Sequence, residues 1–169
     1  GYEFPKDFIE KIWGKSYNII NQANIIINNV EKIQDDPYFG LVKGEAIGVK
    51  ALMHLQLLKL FGPVIQEEGL NVASIPYKAK VEYTGGQFPT AAEVIKKIED
   101  DLAIARSLME NDPIRTNSRT ANLNEFSYEK YNSLIDRRGT RINYYGIIAL
   151  QALVAQWKGD LTQAKTYAE

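Results

Sequence analysis

Gly44-Glu45-Ala46-Ile47-Gly48-Val49-Lys50-Ala51-Leu52-Met53-His54-Leu55-Gln56-Leu57-Leu58-Lys59-Leu60-Phe61-Gly62-Pro63-Val64 is the stretch on which the fold turns. Apolar residues recur at Ala46, Val49, Met53, Leu57 and Leu60, in steps of three and four that place them on one face of a helix. The helix is expected from about Pro37 to Phe61, where Gly62-Pro63 stops it. Gly44, Ala46, Gly48 and Ala51 keep its first half thin. A thin surface lets a second backbone come close, so this helix should pack side by side with another long one.

The same periodicity runs on both sides. Ile9, Trp13, Tyr17, Ile20, Ala23, Ile27 and Val30 form one stripe between Pro5 and about Ile33, with Gly14 as a weak point in the interior. Pro5 suits a first turn, and Asp35-Asp36-Pro37 supplies an end and a cap for the following helix. Thr90-Ala91-Ala92-Glu93 spells a capping box in which hydroxyl and carboxylate each satisfy the other residue's N–H. It opens a third helix to about Glu110, with Val94, Ile98, Leu102, Ala105 and Leu108 inward, ended by Asn111-Asp112-Pro113. A fourth runs from about Arg141 to Trp157. Gly159-Asp160 then turns the chain into a fifth, with Asp160 as cap and Gln163 completing the box.

Between these lie two irregular connections. Pro63 to Pro89 is too long for a simple turn and carries short β-prone runs such as Ala73-Ser74-Ile75-Pro76-Tyr77. Residues 111–140 are polar, with one stretch, Asn124 to Ile135, patterned for a short helix. No segment sustains an alternation of period two, so the fold class is all-α, about five main helices with a long irregular loop.

Bulk composition narrows the function. A chain of 169 residues, 45% hydrophobic and 24% charged, has the balance of one globular domain. Its net charge of −1 supplies no field for a polyanion, which argues against nucleic acid as a partner. The absence of cysteine removes thiol chemistry and disulfides. No apolar run approaches the roughly 18 residues of a membrane span. The chain begins Gly1-Tyr2-Glu3-Phe4-Pro5, and Leu161 to Glu169 keeps a helical pattern to the last residue; we expect a single domain over 1–169 that forms part of a longer protein.

Gly159-Asp160-Leu161-Thr162-Gln163-Ala164, with Tyr145-Gly146 and the small positions Ala149, Ala152 and Ala155 upstream, resembles a tetratricopeptide-like helical hairpin. One such hairpin exposes apolar faces and must stack on neighbours, for which the two preceding long helices are the obvious partners.

A wider resemblance emerges from four segments in order. Trp13, Tyr17, Ile20 and Ala23-Asn24 come first; Gly44-Glu45-Ala46, Lys50-Ala51 and Leu58 through Gly62 follow. Asp101-Leu102 with Ala105 and Leu108 is third, and Arg141, Tyr145, Ala149, Leu153, Gly159-Asp160, Ala164 and Tyr167-Ala168 close the series. Together they resemble the helical N-terminal portion of the SusD/RagB family of outer-membrane nutrient-binding lipoproteins. Lys50 stands where Arg is usual, Met53-His54-Leu55 where aromatics are usual, and Pro63-Val64 in place of a Val-Pro ending. The resemblance implies a cell-surface location in the outer membrane, with the lipid anchor on a precursor segment, and no catalysis. It also implies an oligosaccharide ligand and a TonB-dependent transporter as partner. The repeat helices would serve mainly as scaffold and transporter interface, leaving this chain to bind glycan weakly or not at all by itself.

Candidate residues divide accordingly. Gly44, Glu45, Ala46, Lys50, Gly62, Asp101, Arg141 and Gly159 form the structural signature. Glu45 and Lys50, five apart, do not face each other on a helix, so Glu45 should meet a base from elsewhere, with Arg141 the candidate. His54, the only histidine, reads as a packed or half-exposed replacement for an aromatic. One histidine and no cysteine offer almost no ligands to a transition metal, and neither a metal site nor a cofactor is expected. Glu99-Asp100-Asp101 and Glu67-Glu68 read as solvated or packing carboxylates, since adjacent helix residues diverge and cannot form a facing acid and base.

Sugar rings stack on aromatic faces, which singles out Trp13 and, in the long loop, Tyr77 and Tyr83 as candidate ligand contacts, with Phe88 nearby. Trp157 reads as packing. Two other functions compete: a free-standing helical adaptor that grips a peptide, and, more remotely, an α-helical glycoside hydrolase.

Overall fold

The computed structural model describes residues 6–81, 88–116, 134–135 and 138–169. Among them are six α-helices: α1 (Lys6–Val30), α2 (Phe39–Phe61), the single-turn α3 (Ile65–Glu68), α4 (Ala91–Leu108), α5 (Tyr144–Trp157) and α6 (Leu161–Ala168). The described residues contain no strand, only an isolated antiparallel bridge between Ala73 and Thr90. Residues 124–133 of the patterned short helix lie outside the described residues.

α2 is the centre of the bundle, packing on α1 along one side and α4 along the other and touching α5. α5 in turn packs on α4 and pairs with α6. Because α2 is enclosed on several sides, a single stripe does not describe it. Leu41, Ala46, Ile47, Ala51, Leu55, Leu57 and Leu58 are all buried, and so are Lys50 and His54. The expected face is corrected at its end: Leu60 is 61% exposed, while Leu57 and Leu58 take the inward positions.

The glycines of α2 permit this enclosure. A Cβ on Gly48 would fall within 3.0 Å of the Ile147 and Ile142 side chains, and one on Gly44 would strike the Met109 side chain. These are the close approaches that a thin helix was expected to allow.

The termini follow local chemistry. Thr90 and Glu93 form the full capping box on α4. Asp160 accepts from the Gln163 N–H at α6, after Gly159 turns the chain at φ 87°. Gly62 donates its N–H to the Leu58 carbonyl at 2.9 Å and ends α2. Two starts shift. α2 begins at Phe39, and Asp36 accepts the Tyr38 N–H instead of capping the helix. α5 begins at Tyr144, because Asn143 accepts the Gly146 N–H and leaves Arg141 ahead of the helix.

The core joins Ile20 of α1, Ile47, Leu55 and Leu58 of α2, Val94, Ile98 and Leu102 of α4, and Ile147 and Val154 of α5. Burial of each such side chain contributes about 1.5–3 kcal/mol. The α5–α6 hairpin stacks inward as expected. Its outward face stays open, with Tyr145, Leu153 and Leu161 all exposed.

Candidate functional site

The charged signature residues Glu45, Lys50, Asp101 and Arg141 fall into two polar clusters, each fastening an irregular segment to the helices. In the first, Lys50 of α2 meets Asp101 of α4, Nζ to Oδ2 at 2.9 Å, with both side chains largely buried. Tyr77, arriving from the connection after α3, donates its hydroxyl to the same Asp101 carboxylate. Burial, then the Asp101 charge and its hydrogen bond, push the Tyr77 hydroxyl above its ordinary pKa. The phenol is therefore a fixed donor.

His54 completes that cluster and is fully buried. Its Nδ1–H donates to the Lys50 carbonyl at 2.9 Å, and its Nε2 accepts the Lys78 N–H at 3.0 Å. Both contacts are satisfied only by the neutral ring with the proton on Nδ1. Desolvation accordingly lowers its pKa to about 3. The ring also stacks on Tyr77 with centroids 4.0 Å apart. The sole histidine is thus the post over which residues 76–78 are tied. Tyr17 and Asn24 of α1 tie the same segment from the other side, donating to the Pro76 carbonyl at 2.7 Å and the Lys78 carbonyl at 3.1 Å.

The second cluster contains the expected Glu45–Arg141 pair, with Arg141 Nη2 2.5 Å from Glu45 Oε2. It also contains a residue the sequence reading missed. Arg138, 2% exposed, bridges Glu45 to the buried Asp112. Asp112 also accepts the N–H groups of Ile114 and Tyr144. Burial alone would raise the Asp112 carboxyl, but Arg138 and these amides outweigh it and hold the pKa below the ordinary carboxylate value. Burial likewise opposes the Arg138 charge, and its bonds to Asp112 and Glu45 win, raising its pKa.

The proposed ligand contacts are placed as follows. Trp13 is half-buried, edge-on to Phe61 at 5.2 Å and tilted against Tyr17 at 5.0 Å. Tyr17 lies edge-on to His54 at 6.3 Å, so Trp13, Tyr17, His54 and Tyr77 form one aromatic series from α1 to the loop. Tyr77 has its hydroxyl on Asp101 and one face stacked on His54. Tyr83 lies outside the described residues. Phe88 is 64% exposed. Trp157 packs against the core, with the Lys59 ammonium 5.8 Å from its ring centre.

The acidic run is divided among separate partners: Glu99 meets Lys158 at 2.6 Å, Asp100 meets Lys96 and Asp101 meets Lys50. Among the described residues no three His, Cys, Asp or Glu side chains gather as a metal site, and no helix is long and apolar enough to cross a membrane.

Against known proteins, a comparison with curated sequences finds no match. Solved structures share the fold. A putative sugar binding protein from Bacteroides vulgatus superposes with a TM-score of 0.70 at 21% identity, over 93% of this chain and 31% of that one. A SusD superfamily protein from Bacteroides thetaiotaomicron gives 0.69 at 20%, over 92% and 30%. A SusD-like carbohydrate binding protein from Bacteroides vulgatus gives 0.70 at 18%, over 93% and 29%. The chain thus spans less than a third of the length of these structures. The model of a SusD-like family, described as starch-binding and associating with the outer membrane, matches residues 2–124. The chain belongs to this SusD-like family.

Proposed function

We propose that this chain is the helical portion of a non-catalytic oligosaccharide-binding lipoprotein on the cell surface, working with a TonB-dependent outer-membrane transporter. The family match over residues 2–124 carries this reading. The geometry is consistent with it, because the family-like polar residues fasten loops to helices and Lys158, Lys96 and Lys50 hold Glu99, Asp100 and Asp101. Trp13, Tyr77 and Tyr83 are the aromatic contacts proposed for the complete protein. Affinity purification of the tagged protein from its native outer membrane tests the reading, with a TonB-dependent transporter expected as the stoichiometric partner. Recovery of the protein from the membrane without any transporter would overturn it.

A peptide-gripping adaptor is the second reading, favoured by the exposed Tyr145, Leu153 and Leu161 on the α5–α6 hairpin. Recovery of a soluble protein partner lost on Leu153→Asp would favour it over the first.

A further inference from the structure

Two arginines lie against one tyrosine ring where α4 meets the start of α5. The guanidinium carbon of Arg115 is 4.4 Å from the centre of the Tyr144 ring, and that of Arg106 is 5.7 Å from it. Arg106 also donates its Nε–H to the Tyr144 hydroxyl at 3.3 Å. Sharing one ring places the two charges within about 10 Å of each other, no more than the screening length of 0.1 M salt, so they repel.

Both side chains are fixed at their base. Asp112 accepts the Ile114 N–H on its side chain and the Arg115 N–H on its carbonyl, each at 3.0 Å, which sets the turn Pro113–Arg115. Arg115 then donates from Nη1 to the Glu110 carbonyl. Tyr144 opens α5 and gives its own N–H to Asp112 Oδ2 at 3.0 Å, so the ring is anchored as well. Side chains ordered in advance lose less entropy when they bind.

What this pair lacks is a counter-charge. Lys50, Lys96, Lys158, Arg138 and Arg141 each meet a carboxylate. Among the described residues neither Arg106 nor Arg115 does, and the Nη groups of Arg106 make no hydrogen bond. Glu110 follows Arg106 by one helical turn and lines the same hollow, yet forms no ion pair with it. That hollow, about 520 Å³ and walled also by Ser107, Tyr144 and Tyr167, falls within the roughly 300–1,000 Å³ of small-molecule sites.

We propose that Arg106 and Arg115 form a binding site for a small oxyanion, a carboxylate or a sulfate group, at the Tyr144 end of this hollow. A guanidinium is planar, permanently charged and forked, and it matches either group with paired N–H donors. Two positive charges against the single Glu110 draw in an anion, and an anion beside both arginines removes their repulsion. The remainder of the hollow has room for the body of a small organic acid. The site stands on the arginine pair and not on the carbohydrate reading, and a neutral sugar is not its ligand.

The test is a two-dimensional NMR titration of the chain with sodium sulfate and with sodium glucuronate, sodium chloride holding the ionic strength constant. Glucose, the neutral counterpart of glucuronate, is the control. Saturable shifts of the Arg106 and Arg115 Nε–H signals and of the Tyr144 amide are expected with at least one of the two anions and not with glucose. A response to sulfate alone assigns a sulfate-bearing ligand, and to glucuronate alone a carboxylate-bearing one. Arg106→Gln and Arg115→Gln should each weaken binding at least fivefold and together abolish it, with circular dichroism confirming that the variants are folded. No saturable shift with either anion, equal shifts with glucose, or an affinity unchanged in the double variant would overturn the site. Transporter recovery decides the carbohydrate reading separately.

Discussion

Arg138 grips Asp112 across 26 residues of sequence, Nε to Oδ1 at 2.9 Å and Nη2 to Oδ2 at 2.6 Å, with both side chains almost fully buried. Removing one member of such a pair leaves the other as an uncompensated buried charge. Arg138→Gln is therefore expected to cost about 3–5 kcal/mol in urea unfolding. Arg141, whose side chain is 36% exposed, should cost about 1 kcal/mol or less on conversion to Gln. Equal losses would show that the two arginines share Glu45 as equivalent partners.

Glu45 then serves as the probe of how the cluster is wired. A cycle of Glu45→Gln with Arg138→Gln should show strong coupling, and one with Arg141→Gln a weaker but nonzero value. Strict additivity with Arg141 would sink the pairing drawn from the sequence.

How much of this was legible beforehand depended on the range of the interaction. The Thr90–Glu93 box, the Gly62-Pro63 stop and the Gly159-Asp160 turn were readable because each is settled within four residues. The Glu45–Arg141 pair was reachable only because spacing along α2 excluded Lys50 as a partner. Arg138 and Asp112 carried no such signal: they lie in a polar, irregular stretch, and only the return of the chain to α2 brings them together. The inward face of α2 was misread at Leu60 because a helix enclosed by neighbours buries Lys50 and His54 as well as its leucines.

His54 should dominate the mildly acidic part of the stability profile. Its folded-state pKa of about 3 lies below the ordinary value of 6.5, so the unfolded chain binds more protons throughout that interval. Stability rises with pH wherever the unfolded state holds the extra proton. It should therefore fall as pH drops from about 6.5 toward 3, by roughly 1 kcal/mol per pH unit. In His54→Gln, whose amide oxygen can still accept the Lys78 N–H, that slope should flatten. An unchanged slope in urea melts across this range would refute the buried neutral ring.

Asp112 acts lower on the same axis. Its depressed pKa means that its contribution is complete above the unfolded carboxylate value, about 4, and is lost as pH falls through the folded value. Asp112→Asn should be less stable at neutral pH and should lose less on further acidification. Parallel curves for variant and parent below pH 4 would exclude that role.

Lys50 and Asp101 allow a cleaner separation of charge from packing. Lys50→Met or Asp101→Leu alone strands one buried charge and should cost about 3–5 kcal/mol. The double substitution removes both charges and should recover most of that loss, although Tyr77 then loses its acceptor and the loop at 76–78 its anchor. Thermal melts of the three variants decide the point. A double variant as unstable as the sum of the singles would mean that the pair acts independently.

Gly40 and Gly14 make opposite predictions from the same substitution. A Cβ on Gly40 would lie within 3.0 Å of the Leu108 carbonyl oxygen, a backbone atom that cannot swing away, so α2 and α4 would have to separate there. Gly14 sits inside α1 with nothing within 4 Å of the same added atom. Gly40→Ala should therefore destabilise by about 1–3 kcal/mol through overpacking. Gly14→Ala should stabilise by about 0.5–1 kcal/mol, because alanine confines the unfolded backbone and meets no obstacle in the helix. Chemical denaturation of the two single variants reads both effects, and a Gly40→Ala protein as stable as its parent would show that the helices do not meet as closely as the backbone places them.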